Sequence, residues 1–524
     1  MKKRGFKPTT RTFTTLINAY AGLKHSEDTM DRRAPRTPEP RTVSRVSLIF
    51  DQAQSHLATQ VAESERLESQ NDPEELGLKT AGMVDEAFVE GDGVDINIGP
   101  VNAYLKFLAK YGMMREMEKV FTAMPTSGPL SPDSITFSTM FSGLYDKLSK
   151  KSDSKDIKEG DSSINKGLTA SSLWNQAYRQ FRDAESSRSS DKRRIDEELA
   201  LIALKCLSRS DYKSQQQTMQ IIDALWPLPR PNDKRTPSQI RLAPPTHSIP
   251  HLPLTIRAAT TIMAVCPKPT DRSHYAHLFL LRPELQKQID TPFLITAIRA
   301  FSETGDSPAV LEILKSYQPR KPNHWPLAVW HDALTAARWS VSVEQGMKTL
   351  PNFEAALEIM RMMAHLSPGV EDGEITGPYI AASPNGKPVD TLGVKWIKLE
   401  PVEVDAKPMS IFLKTALSRG YSEIQRAMNV FNHLDGTKLL DVEGARKVAE
   451  RDTDAQSSKG RQWGVDLCRD VERACERLLE REIPGEEKEK VEKLLGMVKR
   501  SEGRRGEGKD PRRFSRSDRM IQGS

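Results

Sequence analysis

The chain has 524 residues, more than one hydrophobic core usually accommodates, so several domains or a repeat array are expected. Hydrophobic residues make up 37%, below the globular norm, which implies that part of the chain packs no core. The formal charge of +6 is a small surplus of 77 basic over 71 acidic residues and says little about partners; no run of 18 apolar residues occurs, so no membrane span is predicted. Cys206, Cys266, Cys468 and Cys475 are widely spread, which points to a reducing compartment and no disulfide framework.

In chain order, the first predicted helix covers about 10 to 24 and pairs with one at about 43 to 58, where Val46, Ile49, Phe50 and Ala53 keep helical spacing. A charged, proline-rich insertion separates them, and residues 59–94 read as acidic and irregular, partly helical at most. The clearest unit runs from about 98 to 133. Val101, Tyr104, Leu105 and Leu108 mark one helix, Gly112 closes it, and Met117, Val120, Phe121 and Met124 mark the next. Pro132-Asp133 stops that second helix, because proline biases its predecessor away from the helical region. Ile135, Phe137, Met140, Phe141 and Leu144 then open a third stripe.

The unit thus reads helix, Gly turn, helix, Gly-x-x-x-Pro-Asp, helix, and its join to the next helix stands again at the start of the chain. There Met1-Lys-Lys-Arg-Gly-Phe-Lys-Pro8 precedes Thr12-Phe-Thr-Thr-Leu-Ile-Asn-Ala-Tyr20. A self-similar period in this range signals stacked helix pairs. On these residues the chain resembles the pentatricopeptide repeat family, whose unit of about 35 residues ends Ala-x-x-x-Phe-x-x-Met and then Gly-x-x-Pro-Asp. Asn102 and Ser138, at equivalent places, are 36 residues apart. The tetratricopeptide signature of Trp-Leu-Gly-Tyr and Ala-Phe-Pro is not visible. The resemblance is specific over 1–24 and 98–145 and weaker beyond. It implies an all-α chain, an α-solenoid of stacked antiparallel helix pairs with long polar insertions and one small β-hairpin. Met1 falls where the end of a repeat's second helix belongs, so a truncated N-terminus lacking its presequence is expected.

The organisation expected is a partial repeat and interrupted helix pair (1–58), a polar linker (59–97), the clearest repeats (98–226) and a Pro-rich connector and hinge (227–253). Degenerate repeats (254–366), an inserted hairpin (367–403) signalled by Asn385-Gly386, a last repeat with C-terminal helices (404–500) and a basic tail (501–524) follow. Three polar stretches, 25–42, 148–168 and 504–524, are expected to lack packed structure.

No phosphate loop, His-Glu-x-x-His or Cys-x-x-Cys pair occurs, so no enzyme is expected, and no cofactor or metal. His274 and His277 stand three apart without a third ligand at diagnostic spacing. A calcium loop counted from Asp92 fails, because Ala103 stands where a bidentate Glu is required.

The chemistry that the resemblance implies is recognition of single-stranded RNA, one base per unit. In the family, the fifth residue of the first helix and the last residue of the unit read the base, and the residue at the second place sandwiches it. Carried over, Asn102 and Asp133 form such a pair, of a uridine-favouring kind, and Ile135 stacks on that base. Gly99, at the second place of its own unit, supplies no side chain. Thr14 and Ser138 occupy the fifth place of their units, small hydroxyl residues like those of purine-reading units. Ile295, His331 and Ser410 align with the fifth place further on; Ile295 cannot hydrogen-bond a base edge. The competing reading makes all of these ordinary inner-face residues. Lys7, Arg11, Lys106, Lys110, Arg115 and Lys119 are candidates for phosphates.

Long polar insertions resemble fungal mitochondrial members of the family. The implied setting is the mitochondrial matrix. The implied partners are a mitochondrial transcript or ribosomal RNA, and mitoribosomal or other proteins. The alternative function is a protein-binding scaffold.

Overall fold

In the computed structural model the residues described are 8–22, 39–70, 97–153, 168–186, 195–210, 212–230, 251–317, 325–342, 348–349, 351–366, 369–372, 402, 404–440, 455–481 and 483–506. The chain is all-α and divides into two compact units, Met1–Pro267 and Lys268–Ser524.

The first unit contains α1 (Thr10–Gly22), α2 (Pro40–Gln70), α3 (Gly99–Lys110), α4 (Met114–Thr122), α5 (Ser134–Asp153), α6 (Ala170–Ser186), α7 (Glu197–Ser208), α8 (Tyr212–Leu225) and α9 (Ile256–Val265). Consecutive helices pair (α1 with α2, α3 with α4, α5 with α6, α7 with α8), and the first helices form a row in which α1 packs on α3, α3 on α5, α5 on α7 and α7 on α9. An apolar face broader than one partner helix can cover is buried against the next pair as well. Phe121 of α4, Phe137 of α5 and Phe181 of α6 meet edge to face, each step 5.6 Å between centroids. Phe50 of α2 stacks on Tyr104 of α3 at 4.0 Å. All five rings are buried, and burying a side chain of this size contributes about 1.5–3 kcal/mol. Gly112 closes α3 as its sequence implies, with φ +69.

The second unit contains α10 (Pro269–Leu280), α11 (Thr291–Thr304), α12 (Ser307–Ser316), α13 (Leu327–Arg338), α14 (Phe353–Ala364), α15 (Ala406–Leu417), α16 (Tyr421–His433), α17 (Ala455–Leu479) and α18 (Gly485–Gly506), with a one-turn helix at Pro283–Gln286. Pairing follows the same rule, and α11, α13, α15 and α17 form the corresponding row. Aspartate or asparagine caps start four of these helices: Asp290, Asp306, Asn352 and Asp405 each accept a backbone N–H of the first turn.

Four expectations change. The helix expected to end near 58 continues to Gln70, because the Ala, Gln, Glu, Arg and Leu of that stretch are good helix formers even without an apolar stripe. The polar insertion after Asp146 begins later than expected, since α5 runs to Asp153; residues 154–167 lie outside the described residues. Likewise α2 starts at Pro40 and α18 ends at Gly506, while 23–38 and 507–524 lie outside. The hairpin expected in 367–403 falls mostly outside too, and residues Val370–Asp372 form a 3-10 turn. The strands described lie elsewhere: β1 (Val341–Ser342) pairs antiparallel with β2 (Lys348–Thr349). The Pro-rich connector is pinned at both ends rather than free there. Leu252 N–H donates to Leu225 O at 2.9 Å and Trp226 Nε1 to Pro253 O at 3.2 Å.

Candidate nucleic-acid interface

α4 ends at Thr122, ten residues before Pro132, so Pro132 does not stop it as the sequence implied. Asp133 follows that proline, and its carbonyl accepts the first intrahelical bond of α5, from Phe137 N–H at 3.1 Å. Its carboxylate caps the helix by accepting the Thr136 N–H at 2.7 Å, and Thr136 Oγ1 reaches back to accept the Asp133 N–H at 3.2 Å. This reciprocal box fixes the carboxylate at the start of α5. One repeat earlier, Asn102 of α3 turns its amide to the same point. Its Nδ2 donates to Asp133 Oδ1 at 3.1 Å and Oδ2 at 3.3 Å, and its Oδ1 accepts from Thr136 Oγ1 at 2.6 Å. Asn102 and Asp133 therefore meet, and Thr136 is a third member that sequence spacing did not single out. Its signal was there: a threonine three residues after a capping aspartate.

An amide offers two N–H donors and two carbonyl lone pairs. The network uses one donor, shared between two carboxylate oxygens, and one lone pair. A donor and an acceptor are left side by side, the pattern that matches the edge of a pyrimidine. Asn102 is 8% exposed, so a base can reach it only end-on. Ile135, two residues beyond Asp133, is 61% exposed, an unusual position for a large β-branched side chain on an otherwise buried stripe. Ser138 is half-buried one turn further along α5, and among the described residues no protein group hydrogen-bonds its hydroxyl.

The preceding step of the row is built differently. Thr14 is half-buried in α1 and donates to Thr10 O at 3.0 Å. A Cβ at Gly99 would lie 2.9 Å from Thr14 Oγ1 and 3.1 Å from Asn97 Oδ1, so hydroxyl and amide converge where α3 begins. Asn97 also accepts the Gly99 N–H at 2.7 Å. Asn97 was missed in the sequence, although it stands five residues before Asn102 just as Asp133 stands five before Ser138.

In the second unit the places diverge. His331 Nε2 lies 3.7 Å from Asp405 Oδ1, a looser counterpart of the Asn102–Asp133 contact. Ser410 is fully buried and donates to Asp470 Oδ2 at 2.6 Å. Burial pushes the Asp470 carboxyl above its ordinary range, against the Ser410 hydrogen bond and the Lys414 charge. Ser410 is thus spent within the protein. Ile295 is half-buried.

Arg11, Lys106, Lys110, Arg115 and Lys119 are exposed. Lys110 is partly engaged, donating to the Ala21 carbonyl at the end of α1. Lys7 lies outside the described residues. Among the described residues no cluster of three metal-ligating side chains occurs, and His277 Nε2 is 2.9 Å from Asp306 Oδ2. That hydrogen bond holds the Asp306 carboxyl below its usual range, outweighing burial. All four cysteines are buried, and burial pushes the Cys206 and Cys475 thiols up to about 12. No described helix is long and apolar enough to cross a membrane.

Removing the Asp133 carboxylate deletes a cap and leaves the Asn102 amide without its acceptor. Asp133→Ala is expected to cost the first unit about 2–4 kcal/mol, the sum of a cap and an orphaned buried donor. Asp133→Asn, which can still cap, is expected to lose under about half of that. Urea unfolding followed by hydrogen exchange in α3 and α5 measures both.

No protein-family model matches the chain, and a search of curated proteins finds no match.

Proposed function

We propose that the chain is a helical-repeat protein of pentatricopeptide type that binds single-stranded RNA with sequence selectivity and has no catalytic activity of its own. The setting proposed is mitochondrial: RNA processing, stability or translation, or maturation of the small-subunit ribosomal RNA. The observation that carries the reading is the Asn102–Asp133–Thr136 network beside the exposed Ile135. A half-satisfied amide, held by a carboxylate and flanked by an exposed apolar side chain, suits an unstacked base read on its edge and packed on its face. All-α helix pairs stacked in rows supply the repeated placement that one-base-per-unit recognition requires.

The test is filter binding of the full chain to RNAs of differing sequence. Replacing Asn102 and Asp133 by Ala is expected to weaken the preferred RNA by about 1–3 kcal/mol while leaving salt-sensitive, non-specific binding in place. Ile135→Ser, which leaves the capping box intact, is expected to lower affinity without lowering stability. Equal losses for every RNA would remove the base-reading role from this pair.

A second reading, a protein-binding scaffold, is favoured by three features of the second unit. Ser410 is buried there, Ile295 cannot read a base, and Leu281 and Trp339 are 76% and 51% exposed. Co-purification of a stable protein partner that survives ribonuclease treatment would move the proposal to that reading.

A further inference from the structure

The row of first helices carries a second cluster in the first unit, apart from Asn102. The guanidinium of Arg209, at the end of α7, lies 4.4 Å over the ring of Tyr145 on α5 and donates to Ser149 Oγ. One turn earlier on α7 stands Lys205, half-buried, and Arg257 of α9 is exposed. Among the described residues no carboxylate stands within ion-pair distance of any of the three cations. Burial and then the positive charge of Arg257 hold the Lys205 ammonium below its ordinary range. The C-terminal dipole of α7 favours a cation at its last turn, which accounts for Lys205 or Arg209 but not for Arg257 at the start of α9. Three cations on adjoining helices, two of them acting on each other without a counter-charge, repel unless an anion joins them.

We infer that Lys205, Arg209 and Arg257 form a site for the phosphodiester backbone of single-stranded RNA. Tyr145 holds the Arg209 guanidinium flat so that its outer edge faces the strand. Guanidinium groups match phosphate oxygens two at a time, and the stack on tyrosine fixes that fork without neutralising it. The site carries no sequence information: it holds the strand, and the Asn102 region reads it. The inference rests on the RNA-binding reading above and extends it to a different part of the row.

The test uses the full chain and two fluorescent probes, oligouridine and oligoadenosine, titrated over a salt series. A Lys205→Gln, Arg209→Gln, Arg257→Gln variant is expected to weaken both probes alike and to flatten the slope of log affinity against log salt by about 2, as three lost contacts at about 0.7 each require. The Asn102→Ala, Asp133→Ala variant is expected to keep the slope. Lys205→Gln alone is expected to leave the melting temperature unchanged or raised, since it removes repulsion, which separates a lost contact from a lost fold. An unchanged slope in the triple variant, with wild-type RNA binding intact, would overturn the site and leave the reading of function standing. Absence of RNA binding by the wild-type chain at low salt would overturn both. Tight binding of the wild type to polyglutamate, abolished in the triple variant, with weak binding to both RNAs, would assign the cluster to an acidic protein instead.

Discussion

Gly305→Ala is expected to destabilise the second unit by about 3–5 kcal/mol. Gly305 ends α11 with φ +73, a left-handed conformation that costs an L-residue about 1–2 kcal/mol. The larger effect is steric. A Cβ at this position would stand 2.0 Å from the Trp339 carbonyl oxygen and 3.2 Å from Ser340 Cα, both backbone atoms that no rotamer change can move. The α11–α12 turn and the end of α13 would have to separate, exposing Phe301 and Ala337, both now fully buried. Gly128→Ala is the control. It has φ +88 and open space around it, so only the conformational cost of about 1–2 kcal/mol applies. Peptide-resolved hydrogen exchange, over 291–340 for Gly305→Ala and over 114–145 for Gly128→Ala, distinguishes the two; equal losses at both positions would remove the steric argument.

Arg361→Met is expected to cost about 3–5 kcal/mol, because it leaves a carboxylate buried without its main partner. Glu371 lies in the 3-10 turn after α14, and its side chain is 4% exposed. Arg361 donates to Glu371 Oε1 and also meets Glu358 at 3.3 Å. Asn429 of α16 donates to the Glu371 carbonyl at 2.8 Å, so this turn ties α14 to α16. Burial pushes the Glu371 carboxyl up, but its own backbone N–H, the charge and hydrogen bond of Arg361 and the Gly369 N–H together hold it below its ordinary value. The sign follows from linkage. A depressed carboxyl adds stability that is fully present above the unfolded value of about 4.3 and is lost as pH falls through the folded value. Wild type should therefore lose stability on acidification below about pH 5 more steeply than Glu371→Gln. The double variant Arg361→Met, Glu371→Gln should recover part of the single loss, since it removes the stranded charge. No recovery would mean that packing of the Arg361 stem, not charge, dominates.

Helix positions were the most legible part of the chain. Apolar spacing placed α3 and α4 within a few residues, because each has one face to bury and Gly112 marks the turn between them. The far end of α2 was hidden because residues 59–70 are helical without an apolar stripe. The β1–β2 ribbon is two residues a side, too short for any alternation to register. At the candidate site, the family resemblance, not spacing alone, supplied the Asn102–Asp133 pair, and the two side chains meet. Thr136 was legible as a capping partner of Asp133, but its bond to Asn102, 34 residues earlier, was not, since it crosses from one helix pair to the next. Ser410 aligned with the fifth place, yet its burial is decided by Asp470, sixty residues on and invisible to local pattern.

The most direct measurement is ultraviolet crosslinking of the full chain to a single-stranded RNA, with the attached nucleotides located by mass spectrometry. The account predicts crosslinks on the first-helix row of the first unit, at or beside Thr14, Asn102 and Ile135, diminished by Ile135→Ser. Crosslinks confined to the second helices α2, α4, α6 and α8, or none in the presence of excess RNA, would contradict it.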